Sequence, residues 1–449
     1  MNHSKLTLLG LGLVGRSLLK LLIGENYFRI DDIRVVDMDE GSFGYFESLG
    51  GKRENFLCLK LDSKCYSEIF GPMKKGDYLI RLAEGSDDTV LVRECLERGI
   101  HYLCASDDYF ADRPLAEPFP YRTHFYQFKE LIKGSKGGAT SILQFGINPG
   151  LISVLTKKAL MDIVEKDEGD FVTKNRERLK SLAEQGDFPL LAKELQVSAF
   201  IEADLDSTQT DIEEKENEVY NTWNVNDFYE EMNDRSIQKL GTLVSLEEHL
   251  NRLAVSPDQI YYYNKHDGTL VLDIPGKNLE TKAYSEGETF TGCVDSHEEL
   301  FSLHDYYTIR DDKGEIDYAP SVMFVYRPCD LAINSVWCTD PELHRKNQYR
   351  IVPITKDRMT AGTEAVGITV EGKNFQPVYV GVAPVFDPKS PETPSVLEVS
   401  ATLYAAMRYI ANHPEEGILY PEYLEVNEML SYTDRFLPVI SHKLGQAYP

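Results

Sequence analysis

Ser296-His297-Glu298-Glu299 sets one histidine beside two carboxylates. That combination moves protons near neutral pH, because the imidazole titrates there and a nearby acid tunes it; the same residues also fit a surface loop with a free histidine. Val197–Asp206 alternates as a strand does, which puts Glu202, Asp204 and Asp206 on one face. Three acids in such a row are solvated unless their face lines a pocket. Trp223, in Asn221-Thr-Trp-Asn-Val-Asn-Asp-Phe228, is one of two tryptophans. A tryptophan fills a core, or it offers the best side-chain face for a cation. Cys329, within Tyr326-Arg-Pro-Cys-Asp330, has no base near it in sequence and is not read as a nucleophile. Gly146-Ile-Asn148-Pro-Gly150 forces a kinked, non-helical backbone. Asn148 there sits either at the reactive end of a cofactor or in an ordinary crossing between domains.

The elements that must position these groups begin with Gly10-Leu-Gly12-Leu13-Val14-Gly15, between an apolar strand-length run and leucines at helical spacing. Strand, G-x-G-x-x-G and helix form a dinucleotide-binding turn: Gly10 turns the chain, Gly12 admits a pyrophosphate, and Gly15 lets helix and strand pack. The free N–H groups at the helix start, from Leu13 and Val14 on, attract phosphate. Asp37 ends the next strand 22 residues after Gly15. An acid there binds ribose hydroxyls and repels a 2′-phosphate, which predicts NAD rather than NADP. Strands are expected at 5–9, 33–37, 56–60, 77–81, 101–105 and 140–145, with helices near 15–24, 63–70, 88–98 and 122–133. This alternation predicts an α/β Rossmann domain with a doubly wound parallel sheet over 1–145. Ser86, in the polar loop after the fourth strand, lies where dinucleotides sit in such sheets.

A second α+β domain with a mostly antiparallel sheet, for substrate, catalysis and dimerisation, is expected over 146–394. Residues 165–188 read as an exposed charged helix or excursion. Residues 395–449 are expected to return as a helical segment, with a helix near 396–411 that completes the first domain. The composition, 42% apolar and 27% charged, is that of a globular protein with a sizeable core. The net charge of −26 argues against nucleic-acid binding and weakly favours a cationic substrate. Seven scattered cysteines without a C-x-x-C pair read as reduced thiols in a cytoplasmic protein with no metal site. No run of residues suits a membrane span.

The chain resembles the bacterial-type homospermidine synthases, related in fold to saccharopine dehydrogenase. The resemblance rests on Gly10–Gly15 with Asp37, on Gly146-Ile-Asn-Pro-Gly-Leu-Ile-Ser153 and on Asn221–Phe228. His297-Glu-Glu-Leu-Phe-Ser302, Tyr326–Asp330 and the ending Glu415–Glu422 extend it along nearly the whole chain. It implies a redox-neutral NAD enzyme that transfers an aminobutyl group between two putrescines, or putrescine and spermidine, through imines with loss of ammonia. It also implies catalytic roles for Trp223, Asn148, His297 and Glu299, substrate-binding roles for Asp204, Glu231, Asp330 and Glu364, and a homodimer. Thr363 stands where the family has an aspartate, and the acid after the fifth strand is displaced to Asp107 or Asp108. The alternative is an NAD(P)-dependent oxidoreductase of the saccharopine or carboxynorspermidine dehydrogenase type, joining an amine to a carbonyl compound.

Overall fold

In the computed structural model, residues 4–108, 120–339 and 348–445 are described. The chain divides into two compact units, 1–151 with 396–436, and 152–395 with 437–449. The boundaries expected from the sequence lie at 145 and 394, with the whole C-terminus in the first domain. Instead, the chain past residue 436 pairs in the second unit's sheet as the strand Ile440–Lys443.

The first unit is a seven-stranded sheet. Its strands are β1 (Leu6–Leu9), β2 (Ile33–Asp37), β3 (Phe56–Cys58), β4 (Tyr78–Arg81), β5 (His101–Cys104) and β6 (Ser141–Ile142), edged by Ile418–Leu419. All pair in parallel, in the order Ile418–Leu419, β6, β5, β4, β1, β2, β3. β1 and β5 are buried at every position, which is why they read as unbroken apolar runs. The strand order reverses beside β1, and in such sheets ligands bind outside the carboxyl ends of the strands at that point. The glycine turn into helix α1 (Leu13–Gly24) and the loop from β4 into helix α2 (Asp88–Arg98) both lie at those ends. Arg81 and Asp88 lock that loop with a buried two-bond ion pair of 2.9 and 2.7 Å.

The second unit is built on a ten-stranded mixed sheet. Its central strand β7 (Val197–Asp206) neighbours two others that matter below. With β8 (Glu288–Asp295) as a further neighbour, β9 (Ser321–Arg327) runs parallel to β7, and β10 (Glu364–Gly372) runs antiparallel on its other side. The sheet expected to be mostly antiparallel thus holds one parallel pairing, between β7 and β9. Ile201, Ala203, Met323, Val325 and Val294 share one face of this sheet and enter an apolar core. Alternation then fixes the other face, which carries Glu202, Asp204 and Asp206. The charged stretch near 165–188 forms the helix Asp170–Glu184, held down by Val172 and Leu179.

A methyl group on Gly15 would stand 2.5 Å from the carbonyl oxygen of Gly10, whereas one on Gly12 would meet nothing within 4 Å. Gly15→Ala is therefore expected to lose about 1–3 kcal/mol in urea unfolding, and Gly12→Ala to unfold like the wild type.

Candidate active site

Trp223 is set by a cap. The Asn224 side chain accepts from the N–H groups of Asn226 and Asp227 and starts helix α3 (Val225–Asn233). Val225, Phe228, Tyr229 and Met232 form its buried stripe. Phe228 packs edge-on against both Trp223 and Tyr326, at 6.2 Å in each case. The indole N–H of Trp223 donates to the Tyr326 hydroxyl at 3.1 Å, which fixes the ring's orientation.

Strand register does the rest. Glu202 lies between Phe324 and Ile368, Asp204 between Tyr326 and Val366, and Asp206 faces Glu364. Asp295, at the end of β8, lies across from Phe324. His297 sets its ring, tilted by 54°, at 4.7 Å from Phe324, just before helix α4 (Glu299–Tyr307). Its Nδ1 is in direct hydrogen-bond contact with Glu299 and lies 3.4 Å from Glu298. The histidine and both acids are buried, so this is no surface loop.

The electrostatics of this face are one-sided. Burial works against a charged imidazole at His297, but Glu299, Glu298 and Glu231 outweigh it and hold its pKa well above the usual value. Burial would raise Glu299, yet His297 and a bond with Glu202 pull it below the usual range. Glu202 is pushed well up by burial and by Glu299. Glu364 is pushed up by burial, Asp206 and Asp204, against a 2.5 Å bond from the Ser395 hydroxyl. Burial also raises Glu231, against the pull of His297. Asp295 is pushed up to about 7 by burial, although it accepts from the Ser296 N–H. Among the described residues no lysine or arginine pairs with Glu202, Asp206, Glu231, Asp295, Glu299 or Glu364. Such a face is built to receive positive charge.

His297, Glu299, Trp223, Asp204, Glu231 and Glu364 are thus brought together in one unit. Asp330 is not. It heads helix α5 (Asp330–Cys338), 86% exposed, and pairs with Arg327 at 2.6 Å. An acid suits the positive end of a helix, and the preceding turn buries Cys329 instead, whose thiol meets Asp206. Burial and Asp206 push that thiol up, so it is held protonated. Strand register brings Tyr326 and Asp295 to this face and the returning chain brings Ser395, none of which a local motif marks as a site residue.

The first unit presents the other candidates. Gly10 has φ +96°, and a side chain there would collide with Ala83 at 2.9 Å. Gly12 opens outward, and the first N–H groups of α1, including those of Leu13 and Val14, have no acceptor within the helix. The Asp37 carboxylate accepts from the Leu11 N–H at 2.6 Å and the Asp39 N–H at 2.7 Å, which anchors it beside that cradle. The residues fit a dinucleotide. Ser86 is buried in the loop after β4, where Asp108 accepts from the Gly85 and Ser86 N–H groups at 2.6 and 3.3 Å. Asp108 therefore fastens that loop, and Asp107 lies 3.5 Å from His124. Asn148, half-buried, lies in the turn closed by the Gly146 N–H donating to the Pro149 carbonyl at 2.7 Å.

The backbone is similar to that of a solved homospermidine synthase from Legionella pneumophila, in complex with NAD, with a TM-score of 0.81. The likeness covers 99% of this chain and 94% of that one, at 20% identity. The chain has the fold of a homospermidine synthase. Saccharopine dehydrogenase (L-Glu forming) from Saccharomyces cerevisiae is similar at a TM-score of 0.56 and 9% identity, over 98% and 100% of the two chains. Residues 6–142 match the saccharopine dehydrogenase NADP binding domain. Homospermidine synthases from Mesorhizobium japonicum and Blastochloris viridis are 20% and 22% identical. The alignments cover 96% and 97% of this chain and 88% and 90% of theirs. The likeness to these synthases therefore runs along nearly the whole chain.

Because Asp295 has its carboxyl raised in the fold, its ionisation costs stability as pH climbs from the ordinary carboxylate range to about 7. Asp295→Asn is expected to gain steadily on the wild type between pH 5 and pH 8, by an amount on the order of a few kcal/mol in unfolding free energy. A difference that does not grow with pH would contradict this sign.

Proposed function

We propose that the chain is a homospermidine synthase, moving an aminobutyl group between two putrescines, or putrescine and spermidine, with release of ammonia. The observation that carries this reading is the buried acid face served by the imidazole of His297, next to a tryptophan of fixed orientation. Diamines are the small ligands whose charge matches it. Asp204, Glu364 and Glu231 would hold ammonium groups. Trp223 would present its ring to the cationic intermediate. The pair His297–Glu299 would take a proton from an ammonium and give it back, since a nitrogen must be neutral before its carbon can lose hydride or before it can attack an imine.

NAD fits the first unit, and when bound it would accept the hydride and return it in the same cycle. Gly10, Gly12, Gly15 and the N–H groups of Leu13 and Val14 would hold its pyrophosphate and Asp37 its adenosine ribose, with Ser86 and Asn148 toward the reactive end. The Asp37 carboxylate would repel a 2′-phosphate, so NAD is preferred here although the matched domain is named for NADP.

The unpaired cysteines support a cytoplasmic protein, and no helix among the described residues is long and apolar enough to cross a membrane. The resemblance supports a homodimer with the second unit as its interface. The net charge of −26 speaks against nucleic acid as a partner. A dehydrogenase of the saccharopine or carboxynorspermidine type is less well served, because its carboxylate-bearing substrates need arginine or lysine pairs, and among the described residues none pairs with Glu202, Asp206, Glu231, Asp295, Glu299 or Glu364.

The test is purified protein with putrescine and a trace of NAD, products read by mass spectrometry. Homospermidine and ammonia in excess over NAD, without net NADH, are expected. Stoichiometric NADH, or product only with a carbonyl compound and NADH, would move the assignment to the dehydrogenase. Trp223→Leu is expected to lower kcat/KM about 3- to 30-fold, the equivalent of a cation–π contact of about 0.5–2 kcal/mol, with the melting curve little changed. Full turnover in that variant would remove the tryptophan from the mechanism.

A further inference from the structure

One carboxyl on the acid face has no part in the scheme above. Glu202 is fully buried, and neither of its oxygens meets an ordinary donor. Its carboxyl lies against that of Glu299. One oxygen of Glu299 is taken by His297 Nδ1, and the other, Oε1, likewise has no ordinary donor. Two carboxyls bond to each other only when one of them carries a proton. Among the described residues no lysine or arginine meets the carboxyl of Glu202 or of Glu299. On its own strand Glu202 is followed by Asp204, and β9 and β10 place Phe324 and Ile368 on either side of it. Tyr326 and Glu364 come further along those strands, and the segment leading into α4 adds His297, Glu298 and Glu299. One imidazolium cannot balance this many adjoining buried carboxylates, so some must hold protons while the site is empty.

We infer that Glu202 and Glu299 share one proton in the empty site, and that a diammonium ligand entering the acid face expels it. The inference rests on the reading of this face as a diamine pocket and adds a residue and a proton to it. The exchange balances: the shared proton leaves to solvent, Glu202 and Glu299 are both left as carboxylates, and the ligand's ammonium takes over the counter-charge. The site is thereby converted from a neutral acid into a base at the moment an ammonium arrives that must lose a proton. Empty, the protein avoids the cost of facing two buried charges; loaded, it has a proton acceptor in place.

The test is calorimetric titration of putrescine into the full-length protein loaded with NADH, so that no hydride can leave the amine. It is run at pH 7 in phosphate and in Tris, whose ionisation enthalpies differ. The dependence of the binding heat on the buffer counts the protons released. Wild type is expected to release protons, and Glu202→Gln about one fewer per ligand. Binding without release, or equal release by the variant, overturns the inference and leaves the diamine pocket standing. No binding heat in either buffer overturns the pocket as well. If the variant does not fold, the wild type's infrared difference spectrum decides. Loss of protonated-carboxyl C=O absorption on binding is expected, and its persistence overturns the shared proton.

Discussion

Buried carboxyls set against one imidazole are the constraint on which the second unit depends. A carboxylate removed from water is costly unless it is paired, and β7 buries three acids along one face. What makes this tolerable is a division of labour across the sheet. The face of Ile201 and Ala203 joins an apolar core of leucines, valines and Met323, and it stabilises the strand whatever its other face carries. The acid face is then free to be electrostatically poor when empty. Glu299 and Glu298 favour the charged form of His297, while burial disfavours the charged forms of Glu202 and Glu364.

The first unit solves a different problem with backbone rather than side chains. Three glycines make a turn in which two positions have no room for a Cβ and the third opens outward. The helix that follows has no acid in its first turn to compete for its free N–H groups. Asp37 is held by two backbone donors, so its carboxylate is aimed before any ligand arrives. The buried Arg81–Asp88 pair, joined by the Tyr102 hydroxyl and the Asp108 N–H, gives the neighbouring loop the same rigidity. Preorganisation of this kind saves the ordering cost that a mobile loop would add to binding.

Legibility in the sequence followed the range of the interaction. Six strands of the parallel sheet could be read because each is a short apolar run bounded by local turn signals, and the glycine turn declares its own geometry, whereas the two-residue edge strand Ile418–Leu419 carries no such pattern. The acid row could be read as a row, since strand alternation is local, but whether it was solvated could not. That depends on α4 covering the face, where Tyr307 lies 4.7 Å from Phe200, far away in sequence. Tyr326 and Asp295 became visible only through register, and Ser395 only because the chain returns past Glu364. Asp330 shows the opposite failure. It sits in a motif of the right types, but the turn that buries Cys329 leaves its neighbour in solvent. The return of Ile440–Lys443 to the second sheet was hidden for the same reason, as four residues at an edge carry too little pattern to reveal their partner.

The proton inventory ties the architecture to the chemistry. Two primary ammonium ions become one secondary ammonium and one ammonium ion, so the proposed transfer changes neither the redox state nor the total of bound protons. Each proton removed to free an amine must therefore be kept nearby and returned within the cycle. A water-filled cleft would do this by exchange with solvent, but it would also hydrolyse an imine. A closed face must carry its own acceptors, with affinities spread so that one group takes what another releases. Burial raises Asp295, Glu202 and Glu364, while His297 draws Glu299 down, and this spread arises from position alone on a single sheet face. The acids that make the empty unit less stable are the ones that keep the proton account closed when it is loaded.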